Sequence, residues 1–143
     1  FSMLAHTAIR EGEVAINHIV GGSDDRMRYD SVPAVVYMHP EIAGVGATEE
    51  KLRAEGRYYR VLKLPMAYAG RYVVENEQAS GLCKVLVDEN DTILGCHILG
   101  NPASELILLA GIAVTDRSSI EDFRRHIFPH PTAGEILHEV LFS

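Results

Sequence analysis

The chain has 143 residues, a length that suits one domain, or one domain with a fragment of another. Hydrophobic residues make up 47% of it and charged residues 23%, which is an ordinary composition for a domain with its own apolar core. The formal net charge of −7 argues against a nucleic-acid partner, and no apolar run approaches the roughly 20 residues that span a membrane.

The first predicted element is a helix over residues 3–20. Ser2 is its candidate N-cap, apolar residues recur along it at helical spacing, and a Gly-Gly pair ends it. The polar, turn-rich residues 23–32 follow and are predicted to be a linker. The chain starts at Phe1, without an initiator methionine and at the edge of this helix. We therefore expect it to be a piece of a longer protein, called the parent below.

Strands and one short helix are predicted next. β-branched and aromatic runs predict the strands. Thr48, followed by two glutamates, predicts the start of a helix, because a threonine side chain caps a helix and acidic residues favour its positive end. Residues 67–77 are less regular. The predicted strands cover residues 35–39, 42–47 and 59–66, and the predicted helix covers residues 49–56.

Residues 81–100 form the clearest predicted hairpin. If Asn90 and Asp91 make its turn, six apolar side chains face each other on one side of the hairpin, and both cysteines are among them. The predicted pairs are Cys83 with Ile98, Val85 with Cys96, and Val87 with Leu94. The cysteines lack C-x-x-C spacing, so we interpret them as core thiols rather than a redox pair, and we expect a reducing, cytoplasmic setting.

Three helices are predicted after the hairpin. The first covers residues 102–114. Two capping boxes, Ser118 to Glu121 and Thr132 to Glu135, predict the starts of a short helix and of the last helix. Strands followed by helices are typical of an α+β domain, in which helices pack on one side of a largely antiparallel sheet.

Seven histidines raise the question of a metal site. His126 and His130 are four residues apart, but Pro129 prevents one continuous helix from presenting both. Glu135 and His138 have the Glu-x-x-His spacing of di-iron bundles, yet a second such pair is missing. We expect no metal. The chain also lacks a Gly-rich phosphate loop and a Gly-x-Ser-x-Gly nucleophile motif.

His130 and Glu135 allow two interpretations that spacing alone does not separate. In the first, Thr132 and Glu135 only cap a helix, and His130 is a loop residue between two prolines. In the second, the prolines hold the imidazole at the start of the helix. Glu135 then accepts a hydrogen bond from one ring nitrogen and leaves the other as a base. The two are compatible, because a carboxylate has lone pairs for both tasks.

Four segments, in this order, resemble the flavin-dependent pyridine nucleotide–disulfide oxidoreductases. They are MLAH (residues 3–6), VPAVVYMHPEIAGVGATEEKL (32–52), GLCKVLVDENDTILGCHILGNPASELI (81–107) and FPHPTAGE (128–135). The last three resemble the C-terminal interface domain of that family, and MLAH resembles the helix start that follows its flavin-binding Gly-Asp motif. Within the family the likeness is greatest to the dihydrolipoyl dehydrogenases, with glutathione reductase-like enzymes next.

The resemblance implies a division of the chain and a role for its histidine. Residues 1–22 would be the last helix of the FAD-binding domain, 23–32 a linker, and 33–143 the dimerisation domain. In this family that domain forms a homodimer, and its histidine enters the neighbouring subunit's site. His130 would there be the acid/base toward the dihydrolipoyl thiol, and Glu135 would orient it. The alternatives are a glutathione reductase-like domain and a non-catalytic interaction module.

The resemblance also implies cofactors and partners. The parent would use FAD and NAD and would act on a lipoyl-bearing acyltransferase or another lipoyl protein. We expect this fragment to bind no cofactor. We also expect it to be inactive, since it contains no redox cysteine pair of the family's kind. Departures include Ala69-Gly70-Arg71-Tyr72, where relatives carry an Asn-x-Arg-Ala-like turn. The residues implied to lie against the flavin are Met3, Leu4, Ala5, His6 and Pro131.

Overall fold

The strands of this chain form one antiparallel sheet. The computed structural model describes residues 2–22, 24–77 and 80–143, so Phe1 and Ser23, the first residue of the predicted linker, lie outside the described residues. Over those ranges five strands lie in the order β1-β2-β5-β4-β3, and each neighbouring pair is antiparallel. The strands are β1 (Ala34–Val36), β2 (Ile42–Gly46), β3 (Arg60–Pro65), β4 (Leu82–Val87) and β5 (Ile93–Leu99).

The central hairpin, β4–β5, confirms most of the predicted register. Cys83 pairs with Ile98 and Val85 pairs with Cys96, as predicted. The third predicted pair is wrong, because a bulge between Leu86 and Val87 shifts the register and pairs Val87 with Ile93. Ile93 therefore lies in the core, where the sequence predicted Leu94.

The turn of this hairpin explains the shift. The N–H of Asp91 donates to the carbonyl of Asp88, so the central turn residues are Glu89 and Asn90 rather than Asn90 and Asp91. Asp91 then takes a left-handed conformation, with φ of 61°. The Asp88 carboxylate accepts from the N–H groups of Asn90 and Thr92 and stabilises this longer turn.

Helices cover mainly one face of the sheet, as expected for the predicted α+β class. The helices are α1 (Ala5–Ile19), α2 (Glu49–Ala54), α3 (Gly70–Glu75), α4 (Ala103–Asp116), α5 (Ile120–Arg124) and α6 (Ile136–Glu139). Short 3₁₀ helices cover Tyr29–Ser31, Met66–Tyr68, Ala133–Glu135 and Val140–Phe142. The α4 helix packs on β2 and β5, and the last 3₁₀ helix packs on β3 and β4. Residues of these helices join both cysteines in one apolar core.

The α2 helix covers part of the opposite face. Lys84 lies between Cys83 and Val85 on β4, so its side chain points away from the core. Its Nζ lies 2.9 Å from Oε1 of Glu49, the first residue of α2. Leu52 of α2 is fully buried, as is Leu86 of β4, although neither belongs to the main core.

Several predicted boundaries differ from the structure. Ser2 does not cap α1; Leu4 is the N-cap, and the Ser2 hydroxyl lies 2.9 Å from that of Thr7. The predicted strand over residues 35–39 is wrong beyond Val36, because the N–H of Met38 turns back to the Val36 carbonyl. Residues 67–77, predicted to be irregular, contain the end of a 3₁₀ helix and α3.

The capping box of α5 is formed by Ser119 and Asp122, one residue later than predicted. Ser118 is instead held to the sheet, because its carbonyl accepts from the N–H of Ile93 at 2.9 Å. The predicted box of Thr132 and Glu135 is confirmed, although it opens a 3₁₀ turn before α6. Among the described helices none is both long and apolar enough to cross a bilayer.

Candidate functional site

His130 lies in the loop between α5 and the C-terminal helices, and 80% of its side chain is exposed. Its Nδ1–H donates a hydrogen bond to Oε1 of Glu135 at 2.8 Å. A carboxylate only accepts, so the proton of the neutral ring lies on Nδ1. Nε2 keeps its lone pair and has no hydrogen-bond partner within the described residues. An imidazole held this way is suited to take a proton from a second molecule.

Glu135 performs both tasks that the sequence left open. While Oε1 accepts from His130, Oε2 accepts from the N–H of Thr132 at 2.9 Å and closes the helix cap. The Thr132 hydroxyl donates to the carbonyl of Pro129 at 2.8 Å, which ties the loop before the histidine to the helix after it. The hydrogen bond from Thr132, followed by that from His130, lowers the pKa of the Glu135 carboxyl. The carboxylate is therefore ionised at neutral pH.

A row of aromatic rings packs against the loop of His130, and the sequence did not predict it. Phe128 lies against Phe123 of α5, with ring centroids 5.7 Å apart, and against His138 of α6 at 5.3 Å. The row continues from His138 to Phe142 at 5.0 Å, where the Arg124 guanidinium lies 3.8 Å above the ring. The spacing of His138 and Phe142, four residues apart in a predicted helix, was the available signal.

The residues implied to face the flavin lie at the exposed start of α1. Met3 is fully exposed. No side chain of the described residues caps the helix, so its first N–H groups are available as donors. His6 donates from Nε2 to the carbonyl of Pro33 at 2.8 Å, which ties α1 to the segment before β1. Pro131 follows His130 and is exposed. Within the described residues no hydrogen bond or ion pair joins residues 3–6 to His130 or Glu135.

The segment Ala69 to Tyr72, which departs from the family pattern, forms the start of α3 and is mainly structural. Ala69 and Tyr72 are buried in the core, each with 1% exposure, whereas Gly70 and Arg71 are exposed. Arg71 lies in an ion pair with Glu75 on the same helix. Two of the four residues therefore pack the core, and only Arg71 offers a charged group to a ligand.

No group of three or more His, Cys, Asp or Glu in the described ranges could hold a metal ion. On the α2 side of the sheet, burial and the charge of Lys84 lower the pKa of His97. In the core, a hydrogen bond with Cys83, together with burial, raises the pKa of the Cys96 thiol well above its ordinary value. Cys83 and Cys96 are both fully buried.

The sequence and the fold agree with a known family. Residues 32–141 match the family described as pyridine nucleotide-disulphide oxidoreductase, dimerisation domain. The chain belongs to this family. Its relatives include dihydrolipoyl dehydrogenase 1, mitochondrial, of Arabidopsis thaliana, which is 47% identical over 143 residues. Dihydrolipoyl dehydrogenase 3 of Pseudomonas putida is 40% identical over 142 residues.

Both relatives match 99% of this chain, but the chain spans only 28% and 30% of their lengths. A crystal structure of LpdA from Mycobacterium tuberculosis superposes with a TM-score of 0.90 at 26% identity and covers 97% of this chain and 30% of its own. The flavoprotein disulfide reductase RclA of Escherichia coli superposes with a TM-score of 0.84 at 25% identity, covering 99% of this chain and 33% of its own. The chain is thus a dimerisation domain of the dihydrolipoyl dehydrogenase-like type.

Proposed function

We propose that this domain supplies His130 and Glu135, as an acid/base pair, to the FAD and disulfide site of a partner subunit in a dihydrolipoyl dehydrogenase. The hydrogen bond from Nδ1 of His130 to Glu135 is the observation that carries the proposal. It leaves Nε2 as the free nitrogen of a ring that is 80% exposed. A base that served its own chain's pocket would be expected to lie in a cleft. This one projects outward.

The chemistry fits the needs of dithiol oxidation. Only a thiolate attacks a disulfide, and an unperturbed thiol, with a pKa near 8.5, is mostly protonated at neutral pH. His130 would accept that proton at Nε2 and return it in the reverse direction. Glu135, ionised and fixed by Thr132, would stabilise the imidazolium. FAD and NAD of the parent would take up the two electrons of the dithiol.

The buried thiols of this chain support a reaction centre elsewhere. Cys83 and Cys96 lie in the core, and the raised pKa of Cys96 keeps it protonated. Neither can exchange with an external dithiol. The redox-active cysteines would therefore belong to another part of the parent, and the domain by itself is expected to be inactive.

The start of α1 supports a flavin contact. We extend the proposal to residues 1–22 as the end of the FAD-binding domain and 23–32 as a linker before the dimerisation domain, 33–143. The uncapped N–H groups at the start of α1 would donate to the electron-rich edge of the flavin, beside Met3, Leu4, Ala5 and His6. Pro131 would approach the partner subunit's flavin beside His130.

We also propose that this domain forms a homodimer. The parent's partner would be a lipoyl-bearing acyltransferase or another lipoyl protein, and its location would be cytoplasmic. Apolar side chains remain exposed on the outer side of α4, among them Leu108 and Ile112. Exposed apolar groups that recur on one helix face are typical of a subunit interface.

The His130→Gln substitution in the full-length parent tests the acid/base role. We expect the rate of dihydrolipoamide oxidation to fall by about 10²–10⁴-fold, which is the usual contribution of a general base. His126→Gln is the matched control, since His126 is also exposed and lies in the same loop. Near-wild-type oxidation by the His130→Gln enzyme would refute the role. If the parent turned over glutathione disulfide faster than lipoyl substrates, it would instead be a glutathione reductase-like enzyme.

A further inference from the structure

A concave site that serves no part of this proposed chemistry lies at the C-terminal end of α4. Its volume is about 380 Å³. Four cationic side chains line it, together with two carboxylates. They come from separate segments of the chain, namely Arg28 before the first 3₁₀ helix, Lys51 on α2, Arg57 after α2, Arg117 after α4, Asp30 and Asp88. The cavity is therefore net positive, although the whole chain has a net charge of −7.

The cations of this cavity are poorly neutralised. Lys51 and Arg117 have no ion pair within the described part of the chain. Arg57 reaches Glu55 only at 3.8 Å, and Arg28 reaches Asp30 at 3.4 Å. Cations elsewhere are held more closely, such as Arg53, which lies 2.7 Å from Glu49.

Both carboxylates of the cavity already have partners. Asp88 accepts two backbone N–H groups of the hairpin turn, from Asn90 at 2.9 Å and Thr92 at 2.8 Å. Asp30 forms an ion pair with Arg28. The Arg28 guanidinium also donates a hydrogen bond to the carbonyl of Thr115, which fixes its position. Within the described residues neither acid forms an ion pair with Lys51 or Arg117, so these two cations are available to an anionic ligand.

The backbone of Arg117 adds an independent observation. Its φ of 54° and ψ of 41° are left-handed, and it occupies the position after α4 where helices usually carry glycine. The N–H of Arg117 donates to Val114, and that of Ser118 donates to Ala113, as in a Schellman motif. An arginine in this conformation is strained relative to glycine, and such strain recurs at functional positions. This strained residue is one of those that line the cavity.

We propose that this cavity binds a small phosphate-bearing anion. Guanidinium groups match phosphate oxygens in pairs, and three arginines with one lysine around a pocket of this volume suit a phosphate or pyrophosphate group. The site shares no residue with the His130–Glu135 pair, and the proposal does not depend on the function proposed for that pair.

Titration of the 143-residue chain with sodium pyrophosphate tests the site, by calorimetry and by the shift of the melting temperature at low ionic strength. We expect binding that weakens as salt is added and a melting temperature that rises with pyrophosphate. Lys51→Gln should weaken binding about fivefold without changing the melting temperature of the free chain. Arg117→Gly should also weaken binding, yet raise the melting temperature of the free chain, because glycine relieves the strain.

Arg125→Gln is the control, since Arg125 is an exposed cation at the C-terminal end of α5 and outside the cavity. Equal weakening by the control, or no binding of pyrophosphate at any salt concentration, would overturn the proposal. A glutamate-rich peptide that bound where pyrophosphate did not would also overturn it. If ADP bound more tightly than pyrophosphate, and adenosine competed with ADP, the ligand would be a nucleotide. Equal affinities for ADP and pyrophosphate would identify an inorganic phosphate. Both of these results support the site.

Discussion

Glu135 accepts from His130 with one carboxylate oxygen, at 2.8 Å, and closes its own helix cap with the other. The imidazole is therefore oriented by the same group that starts the C-terminal helices. Any movement of the cap would move the ring. This coupling explains how an exposed histidine between two prolines can keep a fixed direction without being buried.

Substitution of Glu135 separates its two tasks. Glu135→Gln keeps an amide oxygen that can close the cap but removes the charge that stabilises an imidazolium. In the parent, kcat should fall about tenfold, which is less than for His130→Gln, and the pH profile of kcat should change shape. Glu135→Ala should lower kcat further and lower the melting temperature, since Thr132 loses its partner. Equal kcat for Glu135→Gln and wild type would mean that the carboxylate only caps the helix.

The lowered pKa of Glu135 predicts that the stability of the fold decreases at acidic pH. Because the folded carboxyl titrates below its ordinary range, its ionised form stabilises the fold above a pH of about 4.5. This contribution should disappear as the pH falls through the folded pKa. NMR titration of the Glu135 side chain, together with melting curves from pH 2 to 6, measures both quantities, and Glu135→Gln should reduce this decrease in stability. A folded pKa at or above the ordinary value would contradict the prediction.

The hairpin shows how far sequence reasoning reaches. Alternation of apolar residues was enough to place Cys83 opposite Ile98, because a one-residue slip would turn the core face to solvent. Alternation does not report an inserted residue. The bulge beside Val87 depends on the hydrogen bonds of Asp88 with the turn and on the left-handed Asp91, both of which arise only when the turn closes.

The candidate site and the helices beside it also contain features that the sequence predicts and features that it does not. The spacing of Thr132 and Glu135 is local, so the cap was predictable. The sequence predicted Ser118 as the cap of α5, which is wrong by one residue. The hydrogen bond from the N–H of Ile93 to the carbonyl of Ser118 is a tertiary contact, and it holds Ser118 at the sheet so that Ser119 becomes the cap. The ring contacts of Phe128 with Phe123 and His138 depend on how the loop between the helices folds, and no helix or strand spacing contains them.

Arg117→Gly should stabilise the chain. Glycine adopts the left-handed conformation at this helix end without a steric cost, so the free energy of unfolding should rise by about 0.5–1 kcal/mol. Urea unfolding measures the change. Arg117→Ala is the matched control, because alanine removes the guanidinium but keeps the Cβ, and it should give no such gain. A gain with alanine as large as with glycine would assign the effect to charge rather than to the backbone.

The two cysteines should be unreactive in the folded chain. Both are fully buried, and the pKa of the Cys96 thiol is raised. A thiol reagent such as DTNB should label neither in native buffer and both in denaturant, since only the thiolate reacts and only unfolding exposes it. An added surface cysteine, Ser143→Cys, controls for reagent access and should react at once. Rapid native labelling of Cys83 or Cys96 would place a thiol within reach of solvent and contradict the core interpretation.

The outer face of α4 predicts how the domain associates. Leu106, Ile107 and Ala110 of this helix are buried in the core, whereas Leu108 and Ile112 point outward, with 61% and 52% exposure. The two outward residues are four apart and therefore adjacent on one side of the helix. A second subunit that covered them would remove two large apolar side chains from water.

Leu108→Glu and Ile112→Glu should consequently convert a dimer into monomers. A glutamate at either position would have to be buried without a cationic partner, and that burial is costly, whereas on a monomer it would be solvated. Sedimentation equilibrium over a wide range of concentration measures the effect. Ile16→Glu is the matched control, because Ile16 is equally exposed but lies on α1, outside residues 32–141 that match the dimerisation domain. The control should stay dimeric. Dissociation by Ile16→Glu and not by the α4 variants would move the interface to α1, and a monomeric wild-type chain would show that this domain alone does not dimerise.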